Sequence, residues 1–259
     1  MTFDALVTAG GIPEPGESLY EFSQGRSKAL IDVAGKPMVQ WVLDALSEAK
    51  SIGRVVVVGL DESVGLSCKK PLSYLPNQGG MLDNIRGGAR EIARLNPNAE
   101  FVQIVSSDIP TITGEMVDWV SAQVRAGEDE ALYNVIERSV MEMRFPDSRR
   151  TFSKLKDIEV CGGDMNPVSL PLIVSHTGPW EKISEARKSP LKLASLIGFD
   201  TLILFLLRAM TLKQAEARAS KNLGLRARAV ICPYAELGMD VDKIHHLETV
   251  RAALEARSK

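Results

Sequence analysis

Strand-like and helix-like patterns alternate through the first half of the chain, which predicts an α/β fold with a mainly parallel central sheet and helices on both faces. Three observations carry this prediction. Short apolar, β-branched runs end at glycines or polar residues. Amphipathic stretches at helical spacing separate those runs. Hydrophobic residues make 45% and charged residues 25% of the chain, as in a globular protein with a sizeable core. The 259 residues fit one large domain, 1–259, in which 139–225 reads as a peripheral subregion.

Each element follows from its local pattern. Phe3 to Ala9 is an apolar run that stops at Gly10-Gly11, so it reads as a buried strand. Val39, Val42, Leu43, Leu46 and Ala49 recur at helical spacing and define one apolar face. Arg54 to Gly59 is a run of β-branched residues and the clearest strand. Met81 to Leu95 follows as a helix closed by Asn96-Pro97, and Phe101 to Val105 is the next strand. Thr113, with Glu115 in the first turn, opens another helix, and Ala131 to Glu137 returns to strand. Beyond it the pattern is less regular. A hairpin is expected around Thr151 to Cys161, a strand over Ser169 to Ser175 and a helix over Ala194 to Lys221. A last strand spans Arg226 to Cys232, and Ile244 to Ala256 is the closing helix.

Composition removes several classes of function. Lys and Arg number 31 against 33 Asp and Glu, a net charge of −2, which argues against a nucleic-acid partner because phosphate contacts demand a basic surplus. Cys68, Cys161 and Cys232 lie far apart with no CxxC pair, so a disulfide scaffold or structural zinc is not expected and a cytoplasmic location is. The N-terminus lacks the pattern of a signal peptide. The most apolar stretch, Leu202 to Leu207, is far shorter than the roughly 20 residues a membrane span needs, so no membrane partner is expected and the stretch reads as a buried helix.

Three places carry chemistry on their residue types alone. Thr8-Ala9-Gly10-Gly11 ends the first strand, where open α/β sheets gather ligands, and its glycines let backbone N–H groups approach phosphate oxygens. A plain tight turn explains the same pair. Neither GxxxxGK[ST] nor GxGxxG is present, which sets aside a P-loop and disfavours an NAD-linked dehydrogenase. Ser106-Ser107-Asp108-Ile109-Pro110 places a carboxylate at a strand's end, suited either to Mg²⁺ or to capping the next helix. Thr113 is the better placed cap. Near the C-terminus, Asp240 and Asp242 share one face of an extended segment, although Asp242 also suits the N-cap of the last helix. His245 and His246 are expected as surface residues of that helix's first turn, pointing too far apart for a shared zinc.

The run Lys28-Ala-Leu-Ile-Asp-Val-Ala-Gly-Lys-Pro-Met38, leading into Val39-Gln-Trp-Val-Leu-Asp-Ala-Leu46, resembles the sugar-phosphate and molybdenum-cofactor nucleotidyltransferases of the GT-A type. Asp108-Ile109-Pro110 is similar to that family's Asp-x-Pro, and Asp240 to Leu247 is similar to its closing Asp-x-Asp segment. The resemblance implies a three-layer, Rossmann-like GT-A nucleotidyltransferase fold. It further implies that Lys28 neutralises triphosphate charge, that Ala9, Gly10 and Gly11 wrap the nucleotide, and that Asp108 and Asp242 bind the catalytic Mg²⁺, with Lys28 and Asp108 as the catalytic pair. Asn77 to Asn84 corresponds loosely to the segment that reads the nucleobase, through Gly79, Gly80 and Asn84. Gly162 to Pro167 resembles a Gly-Gly-Asn turn near the acceptor, with Gly163 and Asn166 in that role, and 139–225 becomes the acceptor side. Asn166 equally stabilises its own turn. Lys36 is read as solvated in its turn.

The first loop departs from the family, which places an Arg soon after the glycines. Here Ile12 to Ser27 intervene, and Arg26 is either a second phosphate contact or a surface residue. The implied reaction is transfer of an NMP group from an NTP to a small phosphorylated acceptor with release of pyrophosphate. Two alternatives stay open: a nucleotide-sugar-dependent glycosyltransferase using Asp240-Val-Asp242, and a non-catalytic nucleotide-binding protein. Nucleobase, acceptor and oligomeric state are not specified by these motifs.

Overall fold

The first apolar run forms β1 (Phe3–Thr8) in a computed structural model that describes residues 1–175 and 198–257. A short helix α1 (Tyr20–Ser23) and a small hairpin, β2 (Asp32–Val33) with β3 (Lys36–Pro37), precede helix α2 (Met38–Glu48). Next come β4 (Ile52–Val58), β5 (Leu72–Leu75), α3 (Met81–Leu95), β6 (Phe101–Ser106) and α4 (Gly114–Ala122). β7 (Ala131–Glu137), α5 (Arg138–Arg144), β8 (Ser153–Lys154), β9 (Glu159–Gly162), β10 (Met165–Ser169) and α6 (Leu170–Val174) follow. The described chain resumes with α7 (Phe199–Leu206) and α8 (Leu212–Leu223), then β11 (Ala227–Cys232) and α9 (Ile244–Arg257).

One mixed sheet organises these elements. β5, β4, β1 and β6 lie side by side and parallel, in that order. β10 pairs antiparallel with β6 and touches β7, so part of the 139–225 stretch lies within the sheet. β11 runs parallel to β7, while β9 and β8 continue the sheet antiparallel from β7's far end. The period of two along β1 divides the core. Phe3, Ala5 and Val7 pack against Val39, Val42, Leu43 and Leu46 of α2, whereas Leu6 faces Ile85, Ala89 and Ile92 of α3. Helices therefore cover both faces, and each fully buried aliphatic side chain contributes about 1.5–3 kcal/mol.

Capping follows the local chemistry. Thr113 Oγ1 accepts the Met116 N–H and starts α4, which leaves Asp108 free of that duty. The expected strand over Ser169 to Ser175 is instead the end of β10 followed by α6. Pro171 sits in the first turn of α6, where its missing N–H costs nothing. The helix expected from Ala194 to Lys221 begins outside the described residues (194–197) and is otherwise two helices. Thr211 and Gln214 form a reciprocal capping box that restarts the chain as α8. α7 is not the buried helix its composition suggests: Leu206 and Leu207 are each 70% exposed. It is held through buried Thr201 and an Asp200–Arg218 ion pair. Among the described residues no helix is long and apolar enough to cross a membrane, and the three cysteines are free.

Candidate active site

The carboxyl ends of the parallel strands open onto one cavity, and the sequence brings its walls there by separate routes. The turn after β1 carries Gly10 and Gly11. Gly59, at the end of β4, packs so closely on it that a Cβ at 59 would lie 2.3 Å from the Gly10 Cα. Gly59 also adopts a φ of +104°, so both its backbone and its contact require glycine. Gly79, at φ +112°, turns the chain into the N-terminus of α3. There the Gly80 N–H is taken by the Asp83 carboxylate, and Asn84 is buried with its Oδ1 accepting the Gln78 N–H at 2.7 Å. Gly10, Gly11, Gly79 and Asn84 all line the cavity.

Lys28 reaches this place despite the long loop between it and Gly11. Ser27 Oγ donates to the Ala9 carbonyl at 2.6 Å and accepts the Ala29 N–H, while the Lys28 N–H donates to the Gly11 carbonyl at 2.9 Å. The loop thus returns to its own starting point. Arg26 is exposed and lines neither the cavity nor the neighbouring space under the loop.

Backbone hydrogen bonds hold the acidic side of the cavity. The Val241 N–H donates to the Asp108 carbonyl at 2.9 Å, the Asp164 N–H to Leu237, and the Ser106 N–H to the Asp164 carbonyl, both at 2.8 Å. These bonds draw Asp108, Asp164, Asp240 and Asp242 from three parts of the chain to one wall. The Lys28 ammonium stands between two of them, 2.5 Å from Asp108 Oδ2 and 2.8 Å from Asp242 Oδ1. Asp108 is buried, and its Oδ1 has no hydrogen-bond partner. Asp240 is turned instead to Arg150, with which it forms an ion pair. Both Asp240 and Asp242 line the cavity, as the shared-face argument expects, but only Asp242 meets Lys28.

The charges sort these groups by protonation. Burial works to lower the Lys28 pKa, but the charge and hydrogen bond of Asp108, then those of Asp242, outweigh it and hold the ammonium above its ordinary value. Asp242 is pushed up by burial and pulled further down by hydrogen bonds from Asp240 and Lys28, so it stays ionised. Asp164 is driven the other way, to about 8, by burial first and then by the negative charges of Asp240 and Asp108. His246 is buried, contrary to the surface position expected for it. Its Nδ1 accepts the Asp242 N–H at 3.3 Å, and burial, followed by His245, holds its pKa down to about 4.

Of the residues singled out from sequence, Ala9, Gly10, Gly11, Lys28, Gly79, Gly80, Asn84, Asp108 and Asp242 lie in or directly beside this cavity. Gly163 and Asn166 are placed differently. Asn166 is in β10, where its Oδ1 accepts the Asn134 N–H and its amide donates to the Gly163 carbonyl, both at 2.7 Å. Its side chain is engaged with backbone on both sides. Two groups were missed from sequence: Asp164, hidden in a run read for its glycines and asparagine, and Arg150, in an irregular stretch with no periodic signal. An acid directly after a Gly-Gly pair is the one clue that pointed to Asp164.

The geometry can be set against known proteins. Residues 7–191 match the model of the MobA-like NTP transferase domain. A hypothetical transferase from Thermus thermophilus shares 34% identity, covering 95% of this chain and 100% of its own, with a TM-score of 0.80. Two more distant likenesses bear on the fold. A CMP:2-keto-3-deoxy-manno-octonic acid synthetase complexed with CTP has 17% identity, 99% and 100% coverage and a TM-score of 0.58. A 4-diphosphocytidyl-2C-methyl-D-erythritol synthase from Anaerococcus prevotii has 14% identity, 98% and 96% coverage and a TM-score of 0.58. No curated protein matches the chain. With more than half its length matching the family model, the chain belongs to the MobA-like NTP transferase family and is a nucleotidyltransferase.

Proposed function

We propose that this nucleotidyltransferase moves an NMP group from an NTP to a small phosphorylated acceptor, with Mg²⁺ and with release of pyrophosphate. The observation that carries the reading is the convergence of Asp108 and Asp242 on Lys28 beside the Gly10-Gly11 turn. The donor set suits Mg²⁺: two carboxylates offer oxygen ligands, and the buried Asp108 Oδ1 has no other partner. Asp108 and Asp242 would hold the ion, which when bound supplies charge neutralisation at the phosphates.

The chain's own groups do the rest. Gly10, Gly11 and Gly79 line the cavity without a Cβ, beside the N-terminus of α3, where anions are favoured. Lys28 supplies a cation that swings on a flexible stem to the triphosphate. An acceptor oxygen attacks the α-phosphorus in line, forming the new P–O bond as the bond to the β-phosphate oxygen breaks. Positioning and charge stabilisation account for the catalysis, with no covalent intermediate. Asp164, on the cavity wall, marks the acceptor side, within residues 139–225 of a single 1–259 domain, and a cytoplasmic location belongs to the same reading. Use of Asp240-Val-Asp242 as a glycosyltransferase metal motif is disfavoured because Asp240 is committed to Arg150. Pyrophosphate release measured with the four NTPs and pooled sugar phosphates tests the proposal. Asp108→Asn is expected to lower Mg²⁺-dependent release by at least a hundredfold, of the order seen when a charge-stabilising group is removed, and undiminished turnover would sink it.

A further inference from the structure

We propose that in the nucleotide-free protein the Lys28 ammonium occupies the place between Asp108 and Asp242 that a divalent cation later takes, so that metal binding waits on nucleotide binding. This rests on the reading of Asp108 and Asp242 as the metal-holding carboxylates. The Nζ lies within hydrogen-bond distance of both, at 2.5 and 2.8 Å, so one monovalent charge already bridges the two acids. The Lys28 side chain is 24% and the Asp108 side chain 7% exposed, which leaves that pair weakly screened, while the Asp242 side chain, 55% exposed, closes the bridge from the open side. A divalent ion approaching the same oxygens meets an ammonium in its way and is repelled by it.

The carboxylates do not compensate for this alone. Among the described residues no group of three or more His, Cys, Asp or Glu side chains is gathered so as to hold a metal ion. With one or two carboxylates available, the remaining ligands must come from water and from substrate phosphates, the arrangement Mg²⁺ favours. Nucleotide therefore contributes twice: its phosphates draw the ammonium away and complete the ion's coordination.

The structure also offers Lys28 somewhere to go. A second cavity of about 470 Å³, under the loop that follows Gly11, adjoins the strand-end cavity of about 360 Å³. Gly11, Lys28 and Asp242 belong to the walls of both, so the Lys28–Asp242 pair is the partition between them. The backbone of Lys28 is pinned to Gly11 and that of Ala9 is held by Ser27, so the swing is confined to the four-carbon side chain. Asp108 Oδ1 is buried and has no hydrogen-bond partner.

Mn²⁺ binding to the full chain, followed by electron paramagnetic resonance without nucleotide, tests this directly. The wild type is expected to bind Mn²⁺ weakly, and Lys28→Gln or Lys28→Met to bind it about tenfold or more tightly, because a bridging charge has gone. Lys28→Arg keeps a cation and should stay within about threefold of the wild type. Lys36→Gln, which removes a charge paired with Asp44, controls for net charge and should change nothing. Adding Asp108→Asn to Lys28→Gln should abolish the gain. Equal Mn²⁺ affinity in the wild type, Lys28→Gln and Lys28→Met, still lost with Asp108→Asn, overturns the inference while leaving the metal assignment intact. A gain in Lys28→Gln that survives Asp108→Asn overturns both.

Discussion

A carboxyl group placed against two other carboxylates keeps its proton, and Asp164 does so at the price of folded stability above pH 4. Its folded pKa is raised to about 8 by burial and by Asp240 and Asp108, whereas in the unfolded chain it ionises near the ordinary carboxylate value of about 3.9. Between these limits the native state holds a proton that the unfolded state releases. Stability therefore falls as pH rises from about 4 to 8, the opposite of a salt-bridged Asp. Asp164→Asn, which keeps the shape and cannot ionise, should raise the melting temperature at pH 8 by roughly 2–4 °C per kcal/mol recovered and leave it near the wild-type value at pH 4. Thermal melts in EDTA at both pH values check this, and a variant less stable at pH 8 would contradict it. At this scale the legible residues are those inside contiguous motifs. Lys28, Asp108 and Asp242 each sit in a run whose residue types constrain one another. Asp164 owes its position to backbone bonds between distant segments, such as its N–H to Leu237, and Arg150 joins the site through its ion pair with Asp240, neither of which any local pattern announces.

Elements were legible where one face of a helix or a β-branched run decided the structure. α3 occupies Met81–Leu95 as its periodicity and closing Asn96-Pro97 require, and β7 and β11 fall within a residue of their apolar runs. Failures came where the same composition serves two conformations. Leu170 to Val174 is as apolar as a strand, and Pro171 in a first turn tips it to helix. The apolar run in α7 carried no information about exposure, because burial depends on what packs above it. Gly59 shows an element end whose residue type is fixed by another element. Gly59→Ala would impose both a left-handed φ and a Cβ against the Gly10 backbone, an obstacle no side-chain rotation relieves. We expect a loss of about 3 kcal/mol in urea unfolding, with a raised KM for the nucleotide as the Gly10-Gly11 turn shifts. An unchanged unfolding midpoint would refute this.

On the scale of the molecule, the site is assembled from both ends of the chain: Lys28 from the first eighth or so and Asp242 just before the last helix. A ligand that bridges them ties the two ends together and is absent from the unfolded state. The NTP that fits, supplied with Mg²⁺ at about a hundred times its Kd, should therefore stabilise the fold by about 2.7 kcal/mol, or roughly 5–10 °C. A thermal-shift panel of ATP, CTP, GTP and UTP reads out the preferred base, and no shift with any of them would count against nucleotide binding at this site. The α/β class and the two-faced layering were legible because the alternation of patterns runs through half the chain. Membership of the antiparallel β10 in the middle of the sheet was not, since pairing partners far apart in sequence leave no periodic trace.

The anchoring of Ser27 to Ala9 and of Lys28 to Gly11 has a consequence for how this protein can change. The two ends of the intervening loop are fixed to each other, and between them Leu19 is buried in the core while the Ser18 hydroxyl accepts the Ile244 N–H at the start of α9. Lengthening such a loop costs only about 0.6 kcal/mol for each doubling, and no added residue alters the distance from Lys28 to Asp108. Insertions in its exposed stretch, Glu14 to Glu17, leave those anchors in place. The segment is a place where substrate range can be revised by trial while the reacting groups stay still.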